Sequence, residues 1–325
     1  MPSLSVVIPT SRGGPDLKAC LESLAAEHYR ELEVVVIDNA SQPPVDTHGL
    51  VAVRVLRNDE NLGFVGAINQ GIDASSGELV LLLNDDTLLE PGALEVLVET
   101  LAAHPSWGAC QAKLLLLEDP HRLDTAGSFL TSTGFLVHRG AFEPEERFRG
   151  SDEIFAAKGA ALLVRRRVLA DVGVLDTEFF AYFEETDLCW RVWLAGWEVG
   201  FAADARVLHR LGATASTLPS AFVQFHSFKN RIRTLIKNLG AARLVWMLPY
   251  HLALCIGLVI WYALRGRFDI AAAILRAIWW NATHLRGTLR ERRRVQRRRR
   301  VSDGDLMRRI MRPTSLRTLF SYARN

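Results

Sequence analysis

The chain has 325 residues, of which 49% are hydrophobic and 23% charged, a composition that fits one or two folded domains and excludes a disordered chain. Its four cysteines lie far apart without a C-x-x-C pair, so neither a disulfide framework nor a zinc site is indicated and a reducing compartment is favoured. Its first residues lack the basic region and apolar run of a secretory signal. Residues 286–325 contain 14 arginines and three acidic residues, a net charge of +11 against +3 for the whole chain, so residues 1–285 are net −8 and the basic segment needs its own explanation.

The first half of the chain alternates predicted strands and helices. Short apolar runs predict buried strands, and the i, i+3, i+4, i+7 spacing of apolar residues after Pro15 predicts a helix. The predicted strands are residues 4–8, 33–37, 51–56 and 79–83, and residues 66–75 form a second predicted helix. This order predicts an α/β fold with an open parallel sheet flanked by helices, in which ligands bind outside the carboxyl ends of the strands.

The second half of the chain is less regular. Residues 105–150 are rich in Gly, Ser and Thr and are predicted to be loops that frame a second substrate. Residues 160–165 return to strand character, and residues 179–197 are predicted to be a helix. A last pair of strands from Gly200 onward is expected to deliver His209.

Polar residues follow three of the predicted strands at the edge where ligands are expected. They are Thr10 and Arg12, then Asp38 and Asn39, then Asn84, Asp85 and Asp86. Two adjacent carboxylates raise one another's pKa, and a bound cation removes that penalty. Carboxylate oxygens suit Mg²⁺ or Mn²⁺ bridging a diphosphate, although a solvated turn that caps the next helix explains the same residues. His209 is a structural residue by itself and a candidate ligand beside such a metal.

A second candidate group is the acidic cluster of Glu184, Glu185 and Asp187. Four aromatic residues surround it: Phe179, Phe180, Phe183 and Trp190. Carboxylates beside aromatic rings have raised pKa values and serve as general bases. The alternative is the acidic outer face of an amphipathic helix.

Seven short motifs now form a set that resembles a known family. They are SVVIPT (5–10), VIDNAS (36–41), NDENLGF (58–64), LLNDDT (82–87), KGAALLVR (158–165), FEETDLCWR (183–191) and VLH (207–209). In this order, over roughly residues 3–235, the chain resembles the family-two inverting glycosyltransferases, in their bacterial rhamnosyltransferase-like branch. The resemblance implies a nucleotide-binding fold of the glycosyltransferase A type.

The resemblance also implies a donor site. The residues that it assigns to the base and ribose are Pro9, Thr10, Arg12 and Asp38, and those that line the sugar-nucleotide pocket are Asn61, Gly63 and Asn69. Asn84-Asp85-Asp86 occupies the family's D-x-D position, with asparagine in place of the first aspartate. Asp86 then aligns with the direct metal ligand and His209 with the second one.

The family usually has Glu-Asp where this chain has Glu184-Glu185, and the aspartate is taken as the base. By position, Glu185 is the expected base and Glu184 the second choice, with Asp187 the third member of the cluster. Arg191 matches the arginine that closes the motif, where it contacts the diphosphate or stabilises the helix.

The implied function is inverting, Mg²⁺- or Mn²⁺-dependent transfer of a sugar from a nucleotide diphosphate donor to a lipid-linked or cell-surface glycan, as in cell wall or polysaccharide biosynthesis. Similarity to this branch favours dTDP-rhamnose, followed by UDP-galactofuranose and other UDP- and GDP-sugars. Two alternatives stay open. A sugar nucleotidyltransferase would need a glycine-rich phosphate loop, of which Arg12-Gly13-Gly14 is a faint echo. A membrane-anchored scaffold with a degenerate site would bind no donor.

The C-terminal region, residues 236–325, is predicted to be a second unit after a catalytic domain of residues 1–235. Residues 244–264 contain no charge, about the ~20 residues that cross a bilayer, and residues 268–283 form a second apolar run broken by Arg276. The basic tail suits anionic lipid headgroups, and a solvated or nucleic-acid-binding tail is the alternative, although no nucleic-acid module accompanies it. Because the donor and the arginines both belong in the cytoplasm, we expect attachment at the cytoplasmic face of the cell membrane by a re-entrant segment, a hairpin or an interfacial helix.

Overall fold

The computed structural model describes residues 1–46, 53–212 and 218–313. Its strands are β1 (Leu4–Thr10), β2 (Leu32–Asn39), β3 (Val53–Asn58), β4 (Leu79–Leu83), β5 (Thr87–Leu89), β6 (Trp107–Leu116), β7 (Asp119–Thr125), β8 (Ser128–Thr131), β9 (Leu136–His138), β10 (Asp152–Glu153), β11 (Ala161–Arg165), β12 (Glu198–His209) and β13 (Met311–Arg312). Its helices are α1 (Gly14–Ala25), α2 (Gly63–Ala74), α3 (Ala93–Ala103), α4 (Arg166–Val172), α5 (Glu184–Leu194), α6 (Ser220–Asn238), α7 (Ala241–Leu264), α8 (Phe268–Thr283), α9 (Leu285–Arg298) and α10 (Asp303–Ile310).

The central sheet begins with the parallel strands that the sequence predicts. β1 pairs in parallel with β2 on one side and β4 on the other, and β2 pairs with β3. The predicted order of strand, helix, strand, strand, helix, strand is therefore confirmed; residues 51 and 52 of the third predicted strand lie outside the described residues. Because the chain leaves β1 toward β2 and later returns through β4 on the other side, a crevice opens at the carboxyl ends of β1 and β4.

The sheet continues with strands of mixed direction, in the order β10-β12-β6-β11-β4-β1-β2-β3. β11 runs antiparallel to β4 and β6, and β12 runs parallel to β6. The prediction that residues 105–150 are loops is wrong, because they form β6 to β9. Gln111 and Lys113 are buried in β6 although they are polar. Because they interrupt the apolar run, the sequence pattern does not indicate a buried strand.

Two further sequence predictions need correction. The expected strand pair from Gly200 is one 12-residue strand, β12, whose register shifts between Ala202 and Arg206. The helix predicted for residues 179–197 is shorter, Glu184–Leu194, since Tyr182 and Phe183 have positive φ and cannot continue a right-handed helix.

Apolar side chains cover both faces of the sheet in the alternation that strands impose. Val7 and Leu82 point into the cluster that includes α2 and α5, whereas Ile8 and Leu81 point into the cluster that includes α1 and α3. The sheet is thus a middle layer between two helical layers, and its central strands are buried on both faces.

The C-terminal helices pack on this core. α6 contacts α5, α8 and α9, and the predicted domain boundary at residues 235/236 falls within it. Up to residue 313, the expected basic tail consists of ordered helices: Arg292 Nη1 donates to the carbonyl oxygen of Ile236 at 2.6 Å, and Val295 is buried. Within the described residues, α7 is the one helix long and apolar enough to cross a bilayer.

Candidate active site

A cleft of 590 Å³ opens at the carboxyl ends of β1 and β4. Ten of the predicted site residues line it: Pro9, Thr10, Asn61, Gly63, Asn84, Asp85, Asp86, Glu184, Glu185 and His209. The walls come from strand ends far apart in the sequence, which is the position that the α/β topology favours for a ligand.

The three residues after β4 form one part of the wall. Thr10 Oγ1 donates a hydrogen bond of 2.5 Å to Asp85 Oδ2. Burial raises the pKa of Asp85 to about 6, and the neighbouring charge of Asp86 adds to the rise. Among the described residues, Asn84 Oδ1 and Asp86 Oδ1 are buried without a hydrogen-bond partner. Such unpaired oxygens are costly unless a ligand or cation completes them.

Asp86 and His209 meet in the cleft although 123 positions separate them in the sequence. His209 Nε2 lies 3.3 Å from Asp86 Oδ1, at an angle that leaves this oxygen without a hydrogen bond, and both side chains are buried. An imidazole nitrogen and a carboxylate oxygen this close together could both bind one Mn²⁺ or Mg²⁺ ion. In the described part of the chain, no three His, Cys, Asp or Glu side chains form a complete metal cage, so donor oxygens would have to supply further ligands.

Behind this pair lies a carboxylate that the sequence analysis missed. Asp124 Oδ2 accepts a hydrogen bond of 2.7 Å from His209 Nδ1, and Lys158 Nζ lies 2.8 and 2.7 Å from the two oxygens of Asp124. Burial would lower the pKa of His209, but its hydrogen bond to Asp124 and the nearby carboxylate of Asp86 outweigh burial and raise that pKa. A proton held on Nδ1 leaves a free lone pair on Nε2, the ring nitrogen nearer to Asp86. Lys158 stands in a quoted motif, whereas Asp124 lies in the stretch that was expected to be loops.

Glu184 and Glu185 begin α5 on the other side of the cleft. Among the described residues, Oε2 of each is buried without a hydrogen-bond partner. Burial raises the pKa of both carboxyls, and the charge of Glu185 raises that of Glu184 further. The two residues before them, Tyr182 and Phe183, have φ of 71° and 73°, a left-handed conformation that costs ~1–3 kcal/mol for each non-glycine residue.

Side chains elsewhere hold this strained turn in place. Asn230 of α6 is fully buried, and its Nδ2 donates to the carbonyl oxygens of Ala181 and Tyr182 at 2.9 and 2.7 Å. The adjacent wall approaches closely at Gly63, whose φ is +75° and where a Cβ would lie 2.6 Å from Phe180. Only glycine fits this position, so the cleft is preformed around it.

Four predicted site residues make contacts elsewhere and do not line the cleft: Asp38, Asn69, Asp187 and Arg191. Asp38 accepts hydrogen bonds from the backbone N–H of Ser41 and Val45 at 2.8 and 3.1 Å and pairs with Arg57, so it fixes the loop after β2. Asn69 Nδ2 donates to the carbonyl oxygen of Leu175 at 2.9 Å.

Asp187 and Arg191 lie on the opposite side of α5 from Glu185 and pair at 2.9 Å. Lys237 Nζ also lies 3.0 Å from Asp187, and Arg191 donates to carbonyl oxygens at the end of α4. The structure therefore does not bring Asp187 to the cleft with the other two carboxylates, and of the two roles open for Arg191 it favours the stabilising one. Arg12 is exposed beside the cleft and lowers the pKa of Asp85 through its charge.

The amino-acid sequence is similar to those of known proteins. The sequence model of Glycosyl transferase family 2 matches residues 5–173. The N-acetylglucosaminyl-diphospho-decaprenol L-rhamnosyltransferase of Mycobacterium tuberculosis is 29% identical over 298 residues, which cover 81% of this chain and 94% of that protein.

Solved structures share the fold. The mannosyltransferase PcManGT from Pyrobaculum calidifontis, in complex with GDP-Man and Mn²⁺, aligns with a TM-score of 0.54 at 18% identity over 86% of this chain and 87% of that one. S. aureus TarS 1-349 in complex with UDP-GlcNAc aligns with a TM-score of 0.58 at 15% identity over 85% and 79%. At these identities the likeness establishes a fold of the glycosyltransferase A type.

Proposed function

Because the chain belongs to glycosyl transferase family 2 and is similar to its rhamnosyltransferase branch, we propose that this glycosyltransferase is an inverting, metal-dependent enzyme that moves a sugar from a nucleotide diphosphate donor to a lipid-linked or cell-surface glycan. One observation carries the proposal. The Asp86–His209 pair, 3.3 Å apart, lines the same cleft as Glu184 and Glu185, whose buried Oε2 atoms have no hydrogen-bond partner among the described residues.

The chain's residues divide the reaction between two walls. Asp86 and His209 would hold a divalent cation, Mg²⁺ or Mn²⁺, against the diphosphate of the donor. When bound, such a cation acts as a Lewis acid that neutralises the leaving diphosphate. The predicted roles of Pro9, Thr10 and Asn61 in binding the donor are consistent with their places in the cleft lining.

Glu185 is the proposed general base. It accepts the proton of an acceptor hydroxyl, whose oxygen forms a bond to the anomeric carbon. The bond from that carbon to the diphosphate oxygen breaks on the opposite side, and its electron pair leaves with the nucleoside diphosphate. Burial raises the pKa of the Glu185 carboxyl, which makes it a stronger base than an exposed glutamate.

The M. tuberculosis relative supports the choice of substrates. Its name specifies transfer of L-rhamnose to N-acetylglucosaminyl-diphospho-decaprenol. We propose dTDP-rhamnose as the favoured donor and a polyprenyl-linked glycan as the acceptor, used at the cytoplasmic face of the membrane.

A panel of nucleotide sugars tests the proposal, with release of nucleoside diphosphate measured with Mn²⁺, Mg²⁺ or EDTA. We expect dTDP-rhamnose to turn over best, and EDTA or Asp86→Ala to abolish turnover. Full activity in Asp86→Ala would refute the metal assignment. Nucleotide-sugar formation from a nucleoside triphosphate would instead identify a nucleotidyltransferase, and absence of donor binding would identify a scaffold.

A second pair of variants tests the base. Glu185→Gln should bind donor normally and lose transfer, and Glu184→Gln is its matched neighbour with the same change. If only the Glu184 variant lost transfer, the base would be Glu184.

A further inference from the structure

Helix α7 is apolar on two faces, one buried and one exposed. The buried face consists of Met247, His251, Cys255 and Tyr262. The large exposed side chains are Val245, Trp246, Tyr250, Ile256, Ile260, Trp261 and Leu264. A helix on the surface of a water-soluble protein normally has a polar outer face, whereas the sequence between Arg243 and Arg265 contains no charge. An exposed apolar surface of this extent indicates a missing partner.

The buried face attaches α7 to the catalytic fold along most of its length. Met247 belongs to the largest apolar core, which also contains Leu82 of the central sheet. His251, in the middle of the helix, is fully buried, and its Nδ1–H donates to the carbonyl oxygen of Thr133 at 2.7 Å in the β8–β9 turn. Near the end of the helix, Tyr262 packs in a cluster with residues of α8.

This attachment decides the orientation of the helix. Met247 and Tyr262 are 15 positions apart, which is about 22 Å of helix, and the buried residues between them hold this length against the protein. A helix that crossed a bilayer would carry Thr133 and the neighbouring core into the hydrocarbon, where their polar backbone cannot be satisfied. α8 likewise packs against α6, so both ends of the hairpin stay on the side of the catalytic cleft.

We infer that the exposed surfaces of α7 and α8 form one membrane-docking face, which lies in the plane of an anionic lipid surface and does not cross it. On α8 the large exposed apolar residues are Phe268, Leu275 and Trp279. The inference deepens the proposed function and rests on it for the identity of the acceptor; the docking face itself rests on the geometry of α7 and α8.

Charge selects a lipid surface over a second copy of the chain. Residues 241–283, which contain α7 and α8, include four arginines and one acidic residue, Asp269, which pairs with Arg267 at 3.2 Å. Two copies meeting through this face would bring like charges together, whereas anionic headgroups neutralise them. The aromatic residues near the ends of α7, Trp246 and Trp261, are of the type that sits at the level of the headgroups.

The docking face also lies next to the cleft. Phe222 of α6 lines the cleft and meets Phe180 edge-on, with ring centroids 5.8 Å apart. Three residues further on, Phe225 packs against the α7–α8 cluster. Helix α6, about 10 Å thick, therefore lies between the α7–α8 cluster and the cleft that contains Glu185. A sugar attached to a membrane lipid would enter over this helix.

Flotation of the full chain with vesicles tests the docking face. We expect binding to phosphatidylcholine–phosphatidylglycerol vesicles and weak binding to phosphatidylcholine alone. Ile256→Glu with Ile260→Glu should weaken binding to the anionic vesicles by about tenfold or more, since both side chains leave the apolar boundary. Phe142→Glu is the control, because Phe142 is an apolar residue that is 56% exposed and belongs to neither helix. Unchanged flotation of the double variant would overturn the proposal.

Spin labels test the in-plane orientation. Single cysteines replace Val245, Ile256 and Leu264, and the four native cysteines are buried and should not react. All three labels should sit at a similar shallow depth, roughly 5–10 Å below the headgroups. A label at position 256 near the bilayer midplane, with the other two at opposite surfaces, would overturn the proposal in favour of a crossing helix.

Two further measurements separate the possible failures. Release of nucleoside diphosphate from the donor in solution reports on the proposed function, and both flotation variants should retain it because they lie outside the cleft. Turnover without vesicle binding would overturn the docking face alone. A dimer in sedimentation that the double variant dissociates, with no flotation of the native chain, would identify a second copy as the occupant and also overturn it.

Discussion

Asp124 should control the affinity of the cleft for metal without touching the metal. Its carboxylate accepts a hydrogen bond of 2.7 Å from His209 Nδ1 and pairs with Lys158 through both oxygens, and the side chain is 5% exposed. In Asp124→Asn the shape is kept but the negative charge is lost, and the amide has one acceptor oxygen where the carboxylate has two. The hydrogen bond that keeps the proton of His209 on Nδ1 is then weaker, because its acceptor is neutral. Loss of such a partner weakens metal binding ~10–100-fold, or ~1.4–2.8 kcal/mol.

The assay is titration of Mn²⁺ followed by electron paramagnetic resonance, with Mn²⁺ alone and with Mn²⁺ plus dTDP. The Mn²⁺ concentration for half-maximal turnover should rise by the same factor, and saturating Mn²⁺ should restore most of kcat. Glu145→Gln is the matched control, because Glu145 is another carboxylate paired with two cations, Lys113 and Arg206, each at 3.0 Å, outside the cleft lining. An Mn²⁺ affinity of Asp124→Asn within twofold of the native value, in a protein that unfolds at the native temperature, would refute this reasoning.

Two predictions concern ionisation elsewhere. Since burial raises the pKa of Glu185 above its ordinary value of 4.5, kcat/KM should fall as the pH drops through a midpoint above 4.5. The residual activity of Glu185→Gln should not show this fall, and a midpoint at or below 4.5 in the native protein would contradict the assignment of Glu185 as the base. Lys237→Met leaves the buried carboxylates of Asp176 and Asp187 without a shared partner and should lower the free energy of unfolding at pH 7 by ~3–5 kcal/mol. Burial raises the pKa of both carboxyls, but the charge of Lys237 outweighs burial and lowers the pKa of each below its ordinary value of 3.8. The stabilisation by Lys237 is therefore present above pH 3.8 and is lost as the pH falls further. In urea unfolding, the difference in free energy of unfolding between the native protein and the variant should narrow from pH 7 to pH 3, and a constant difference would contradict this prediction.

The first part of the fold, which contains β1 to β4, could be predicted because most of its strands are short, continuous apolar runs with polar residues at their ends. Strands β1 and β4 have that form, and the topology then brings their ends together whatever lies between them. The other half could not, because β6 contains buried polar residues whose partners are remote. Gln111 Oε1 accepts from the backbone N–H of Lys158, and no sequence period indicates that contact.

Side-chain direction explains why the structure brings Glu184 and Glu185 to the cleft but not Asp187, the third residue of the predicted acidic cluster. Glu185 and Asp187 are two residues apart on α5, and two steps of 100° place them on opposite sides of a helix. Their residue types are equivalent in the sequence, so the choice depends on where α6 lies. Lys237 and Asn238 of α6 take the side of Asp187, through contacts of 3.0 and 3.1 Å, and the cleft takes the side of Glu185.

The sequence alone also does not decide how α7 is oriented, because its length and composition would allow it to span a bilayer. A spanning helix and an interfacial helix that packs on a protein can both be apolar all round, so hydropathy does not distinguish them. The distinguishing feature is the hydrogen bond from His251 to Thr133, a contact between residues 118 positions apart. A buried histidine in the middle of an apolar helix requires a polar partner, and in this chain the catalytic fold supplies it. The helix that we propose to lie on the lipid surface is therefore built as part of the catalytic fold, which would fix the height of the cleft above the membrane.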